Sequence, residues 1–187
     1  SGNHGAQTGN MIIGLEELIK QYSPDIVLCY GDTNSTLAAA IVASKMDVKL
    51  IHVEAGLRSY NREMPEETNR VLTDHASDIL LAPSERAVNN LETEGISDGV
   101  ELVGDVMYDS LLWARKQADE LSNITERLGV AERKYLLLTV HRPRNTDDPK
   151  RLDDIIQTLK SDPRPVVFPA HPRTKKKKKN YNLYEDA

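Results

Sequence analysis

Apolar residues at Met11, Ile12, Leu15, Leu18 and Ile19 recur at helical spacing and Pro24 closes the segment, so the pattern predicts an amphipathic helix over about Gly9–Gln21. The run Ile26-Val27-Leu28-Cys29-Tyr30 is apolar without a break, as in a strand covered on both faces by helices, and it ends at Gly31-Asp32-Thr33. The stretch Asn34–Lys45 is rich in Ala, Leu and Ile and predicts a second helix, capped by Thr33 or Asn34 and packed closely on a sheet; Lys49–Val53 supplies the next strand. Pro65 followed by Glu66 and Glu67 marks a helix start, because Pro is tolerated in the first turn and carboxylates favour the positive end of the helix dipole; this helix is predicted to reach about His75.

The alternation continues. Ile79–Ala82 reads as a strand, Ser84–Glu94 as a helix capped by Ser84, Glu101–Val103 as a strand and Val106–Glu120 as a long helix. Tyr135–Val140 is a further apolar strand, Pro149–Lys160 a helix capped by Asp148, and Val166–Phe168 the last strand. Strand and helix in regular turn predict a parallel, doubly wound α/β fold. The rhythm breaks at the polar stretch Ser122–Lys134, which places a hinge near Gly104–Asp109 and divides the chain into residues 1–104 and 105–187.

Composition narrows the class. A chain of 187 residues with 39% hydrophobic and 28% charged residues can bury a core, as one large domain or two small ones. Lys and Arg number 24 against 29 Asp and Glu, a net charge of −5, so no global basic field is available for nucleic acid or an anionic membrane. The run Lys175–Lys179 reads as a solvated helix face or tail. Apolar runs fall far short of the roughly 20 residues that cross a bilayer. The single cysteine, Cys29, permits no internal disulfide and fits a reducing compartment, so the expected setting is the cytoplasm.

In open α/β sheets ligands bind beyond the carboxyl ends of the strands, which directs attention to four loops: Gly31-Asp32-Thr33, Glu54-Ala55-Gly56-Leu57-Arg58, His141-Arg142-Pro143-Arg144-Asn145 and His171-Pro172-Arg173. The first half supplies the carboxylates Asp32, Glu54 and Glu66; the second supplies His141, His171 and arginines. That division suits acid–base work on a substrate that also carries phosphate. If the strand ends of the two halves face each other, all four loops line one cleft. Each residue also has a plainer reading: Asp32 could cap the following helix, Glu66 could answer the helix dipole, and His52, inside a strand, reads as a satisfied core histidine. Neither HExxH nor paired cysteines are present, and neither a Walker loop nor GxGxxG, so no metal and no cofactor is expected.

Five motifs in order, Gly31-Asp32-Thr33-Asn34-Ser35-Thr36, His52-Val53-Glu54-Ala55-Gly56-Leu57-Arg58, Met64-Pro65-Glu66-Glu67-Thr68-Asn69-Arg70, Gly104-Asp105-Val106-Met107-Tyr108-Asp109 and Thr139-Val140-His141-Arg142, resemble the non-hydrolysing UDP-N-acetylglucosamine 2-epimerases. The resemblance implies a GT-B-like architecture of two Rossmann-like parallel-sheet domains facing a cleft. It also implies interconversion of UDP-N-acetylglucosamine and UDP-N-acetylmannosamine by elimination of UDP and its re-addition to 2-acetamidoglucal. By motif, Asp32, Glu54, Glu66 and His141 fall on the catalytic positions, and Arg142 and His171 on positions that contact the nucleotide diphosphate or a second, activating UDP-sugar molecule. Which carboxylate takes the C2 proton stays open. By the same analogy the partners are UDP-N-acetylglucosamine and UDP, with no nucleic acid or membrane, and the assembly is a homodimer.

Arg144 stands where the family carries a Glu, and neither the opening Gly-Thr-Arg-Pro-Glu loop nor the later Gly-Gly segment is present, so the chain is expected to be a middle portion of that architecture, incomplete at both ends. Two other outcomes fit the same residues: a hydrolysing epimerase that releases N-acetylmannosamine and UDP, and a UDP-sugar-binding module without turnover.

Overall fold

The computed structural model describes residues 3–130 and 134–180. The chain packs as two compact units, Ser1–Lys116 and Gln117–Ala187, with the boundary inside a long helix.

In the first unit helices and strands alternate: α1 (His4–Tyr22), β1 (Ile26–Tyr30), α2 (Asn34–Lys45), β2 (Lys49–Val53), α3 (Pro65–Ala76), β3 (Ile79–Ala82), α4 (Glu85–Thr93), β4 (Val100–Leu102) and α5 (Val106–Leu121). The strands form one parallel sheet in the order β1-β2-β3-β4, with Ile26 opposite Lys49, Ile51 opposite Ile79 and Leu80 opposite Val100. Parallel neighbours need a long crossover, and each of the helices α2, α3 and α4 supplies one. All four strands therefore end on the same side, where the loops that carry Asp32 and Glu54 meet the start of α3.

The core lies between sheet and helices. Cys29, Ala40, Ala43 and Leu50 form one buried cluster, and Ala55, Leu80 and Leu91 a second. Small residues on α2, with Ala38, Ala40 and Ala43 all at 0% exposure, let that helix lie close to the strands. Each fully buried leucine contributes about 1.5–3 kcal/mol relative to exposure. Burial, reinforced by the negative charge of Asp74, pushes the Cys29 thiol up to about 11, which keeps it protonated and unreactive at neutral pH. Ser84 caps α4 as expected, its hydroxyl accepting from the Ala87 N–H at 3.3 Å.

One expectation needs correction. β1 is not covered on both faces: Cys29 is buried, but Ile26, Leu28 and Tyr30 are 47%, 48% and 60% exposed. Successive side chains of a strand point to opposite faces, and β1 is an edge strand of the described sheet, so only the face toward α2 is sealed.

Gly56 shows how tightly the loop after β2 is seated. Its φ is +77°, and a Cβ placed there would lie 2.3 Å from the carbonyl oxygen of Ala87 and 3.0 Å from Leu91 Cγ. Backbone on α4 cannot yield as a flexible side chain would. Gly56→Ala is expected to cost about 2 kcal/mol or more from left-handed strain and the clash together, measured by urea denaturation; an unchanged midpoint would show that α4 shifts freely.

The second unit contains α6 (Ile124–Arg127), β5 (Leu136–Leu137), α7 (Pro143–Thr146), α8 (Pro149–Lys160), β6 (Val166–Val167) and α9 (Pro172–Asn180). β5 and β6 pair in parallel, Leu136 opposite Val166. Both are shorter than the apolar runs predict, because among the described residues only these two strands meet, and the ladder fades after Leu138 N–H reaches the Val167 carbonyl at 2.9 Å. Asp148 caps α8 by accepting from the N–H groups of Lys150 and Arg151 at 3.0 and 3.3 Å. The lysine run lies on α9, anchored by buried Thr174, whose hydroxyl donates to the Val140 carbonyl, and by Lys177, 3.1 Å from Asp147. The side chains of Arg173, Lys178 and Lys179 lie outside the described residues. No described helix is long and apolar enough to cross a membrane.

Candidate active site

Asp32 leaves the end of β1 at the turn into α2. Thr33 occupies the N-cap position of that helix, but its hydroxyl lies 2.7 Å from Ser35 Oγ and 3.1 Å from Thr36 Oγ1 instead of bonding a helix N–H. Asp32 does not cap the helix either. Its carboxylate accepts from Arg70 Nη2 on α3, and its backbone carbonyl accepts from Asn69 Nδ2 at 2.9 Å. The half-buried Asp32 is thus held from two directions by consecutive residues of one helix.

Glu66 lies in the first turn of that helix, directly after Pro65, and is exposed. Asp32, Glu66, Asn34, Asn69, His4 and Gln7 line a common cavity of about 320 Å³. Asn34 knits its wall, donating through Nδ2 to Gln7 Oε1 at 2.8 Å and to His4 Nδ1 at 3.0 Å, while its Oδ1 accepts from Asn69 at 3.1 Å. Among the described residues neither Glu54 nor Glu66 has a hydrogen-bond or ion-pair partner. Glu54, half-buried at the end of β2, has a φ of 71°, a left-handed conformation that costs a residue with a side chain about 1–2 kcal/mol. Its Oε2 lies 3.3 Å from where a Cβ would sit on Gly31, so the carboxylate rests against the residue that precedes Asp32.

Beneath these loops runs a buried polar network. His52 is fully buried; its Nε2 lies 2.7 Å from the Gly31 carbonyl and its Nδ1 2.6 Å from Asp74 Oδ1. A carbonyl only accepts, so Nε2 carries the hydrogen that Gly31 receives, and Nδ1 faces Asp74. His52 is the satisfied core histidine expected from its place in a strand. Asp74 also accepts from the Gly56 N–H at 3.1 Å and from Arg58 Nη1 at 2.6 Å. Arg58 in turn forks onto Glu94 with two bonds of 2.7 Å. Burial alone would disfavour the Arg58 charge, but Glu94 and Asp74 outweigh it and fix the guanidinium as a cation.

Glu67 does comparable work about two turns earlier on α3. It accepts from the Ser59 N–H at 2.9 Å, the Ser59 hydroxyl at 2.7 Å and the Tyr60 N–H at 2.8 Å. Burial would push this carboxyl up; the Ser59 and Tyr60 donors, with Arg70 beside them, overcome that and hold it below the usual carboxylate range. These positioning groups escape a loop-by-loop reading because they sit inside a helix. The available signal is that the inward face of α3 is polar, with Glu67, Asn69, Thr73 and Asp74 all buried where a packed helix ordinarily shows apolar residues.

In the second unit the strand-end histidines meet. The His141 and His171 rings lie 5.6 Å apart between centroids, inclined by 35°. Both are exposed, as is Arg142, whose carbonyl accepts the N–H groups of Asn145 and Thr146 at 2.9 and 3.1 Å and so opens α7. The six predicted residues therefore fall into two groups: Asp32, Glu54 and Glu66 at the carboxyl ends of the first sheet, and His141, Arg142 and His171 at those of the second.

A family model described as UDP-N-acetylglucosamine 2-epimerase matches residues 1–185. The chain is 51% identical over 186 residues to a UDP-N-acetylglucosamine 2-epimerase homolog of Methanococcus maripaludis, covering 99% of this chain and 52% of that one. It is 47% identical over 181 residues to the UDP-2,3-diacetamido-2,3-dideoxy-D-glucuronate 2-epimerase of Pseudomonas aeruginosa, covering 93% and 49%. Among solved structures, that of the Methanocaldococcus jannaschii UDP-GlcNAc 2-epimerase in complex with UDP-GlcNAc and UDP superposes with a TM-score of 0.86 at 45% identity, covering 98% of this chain and 52% of that one. The chain spans about half the length of the curated relatives it matches.

Proposed function

The chain belongs to the UDP-N-acetylglucosamine 2-epimerase family, and from that premise we propose that the protein interconverts UDP-N-acetylglucosamine and UDP-N-acetylmannosamine. A carboxylate takes the proton from C2; the electron pair of that C–H bond forms the C1=C2 double bond as the C1–O bond breaks and UDP departs. The resulting 2-acetamidoglucal then recombines with UDP while a proton is returned to the opposite face of C2. Such a cycle needs proton carriers on both faces and a stabilised diphosphate. Asp32, Glu54 and Glu66 are the carriers in this reading, with His141, and Arg142 and His171 hold the diphosphate. The residues up to 104 form the domain that brings the carboxylates, and residues 105–187 the domain that brings His141. The protein works in the cytoplasm as a homodimer.

The observation that supports this most is the common cavity of Asp32 and Glu66, with Glu54 resting against Gly31, the residue before Asp32. The Glu54 carboxylate, on a left-handed backbone and without a described hydrogen-bond partner, has no structural role that explains it, and Glu66, besides answering the dipole of α3, lines the same cavity as Asp32. Incubating the full-length protein with UDP-N-acetylglucosamine in deuterated water is expected to place deuterium at C2 and yield the manno epimer. Conversion without label at C2 would exclude proton abstraction, and absence of conversion would remove the activity.

The hydrolysing outcome, in which water captures the glucal, is not favoured by the relatives' names. A second substrate is favoured by a specific finding: the relative acting on UDP-2,3-diacetamido-2,3-dideoxy-D-glucuronate is nearly as similar as the first. The bond changes at C1 and C2 are the same, so the ratio of kcat/KM for the two nucleotide sugars decides between them.

A further inference from the structure

The geometry points to Arg70 and Asn69 as positioning residues for Asp32, which fix its carboxylate and its backbone relative to Glu66. This rests on the epimerase reading and deepens it. Glu66, Asn69 and Arg70 stand at i, i+3 and i+4 on α3 and so share one face of a single helix. From that face Glu66 reaches the cavity, Asn69 holds the Asp32 carbonyl at 2.9 Å and the Asn34 side chain at 3.1 Å, and Arg70 binds the Asp32 carboxylate through Nη2. The other guanidinium nitrogen, Nη1, lies 3.2 Å from Glu67 Oε2, and Glu67 holds the Ser59–Tyr60 turn.

Arg70 thus ties the loop after β1 to Glu67 of its own helix, and through Glu67 to the Ser59–Tyr60 turn. Its side chain is only 13% exposed, and in this pose the Nε–H is buried without a hydrogen-bond partner. The fork is placed so that its two ends meet Asp32 and Glu67, with Nε left over. A lysine has one compact ammonium and cannot reproduce a planar two-ended fork. The spacing between Asp32 and Glu66 is consequently set by the backbone of α3 and not by the loop after β1, which matters for two groups that serve one reacting carbon.

The test uses the full-length protein and follows C2 exchange in deuterated water. Arg70→Lys is expected to lower kcat about 10- to 100-fold, with KM for UDP-N-acetylglucosamine and the calorimetric affinity for UDP changed less than about twofold. Arg70→Ala is expected to recover exchange in saturable fashion on addition of methylguanidinium, and Asn69→Ala to lower kcat in the same sense while its thermal midpoint stays close to the parent's. Full activity of Arg70→Lys would overturn the proposal, as would an Asn69→Ala variant that folds and turns over at the parental rate. A loss carried wholly by KM would overturn it too, by making these residues binding groups. If the parent protein itself exchanges no deuterium, the epimerase reading fails and the role of Arg70 with it; if the parent exchanges and the variants match it, only the positioning role fails.

Discussion

Asp32→Asn and Glu54→Gln in the full-length protein are each expected to lower C2 exchange about 10²- to 10⁴-fold, the usual contribution of a positioned acid–base group. Each replacement keeps the shape of the side chain and removes its ability to carry a proton at the working pH. Stability should change little. Asp32 loses its charge pair with Arg70, but its side chain is 32% exposed and asparagine keeps an amide oxygen that can accept from the guanidinium, so the loss is about 1 kcal/mol. Glu54 forfeits no described hydrogen bond, and glutamine inherits the same left-handed backbone. Steady-state turnover together with a melting curve separates the two effects, and a variant that keeps the parental rate leaves the catalytic set.

Asp74→Ala has the opposite profile: the expected loss is in folding. Its carboxylate, at 0% exposure, is bonded by His52, Arg58 and the Gly56 N–H. Deleting one partner of a buried charged cluster is far worse than never having built it, because the remaining cation and imidazole keep the cost of leaving water and lose what offset it; about 3–5 kcal/mol is typical. Glu94 still holds one side of Arg58, which sets the expectation at the lower end of that range. A domain has only about 5–15 kcal/mol of net stability, so soluble yield should fall along with the denaturant midpoint. A loss under about 1 kcal/mol would mean that water reaches the site and takes the place of the carboxylate.

The two sets of residues differ in how visible they are in sequence. β1, β2 and β3 occupy the predicted ranges, since an apolar run bounded by Gly, Pro or Asp leaves little choice of strand limits. α2 and α8 likewise match, helped by a cap position and by Pro149 at a helix start. α1 begins five residues before the expected Gly9, because its first turn is polar and turns His4 and Gln7 toward Asn34, leaving no apolar periodicity to read. α9 carries lysines where periodicity would need apolar residues, and its anchor, Thr174 on the Val140 carbonyl, joins positions 34 apart in the chain. Asp32, Glu54 and Glu66 are legible because parallel strands deliver their last residues to one side. Arg70 and Asp74 are not, because their meaning depends on partners 38 and 22 positions away that only the packed sheet brings near.

Gly31 carries a consequence of its own. Its φ of +64° and bare Cα leave room for the Glu54 carboxylate, and its carbonyl is the acceptor for His52. A single methyl group there would lie 3.3 Å from the Glu54 oxygen, on a backbone conformation that side chains rarely adopt. Any effort to reshape this carboxylate cluster is therefore constrained at Gly31, where one hydrogen atom separates the loop after β1 from the Glu54 side chain of the loop after β2.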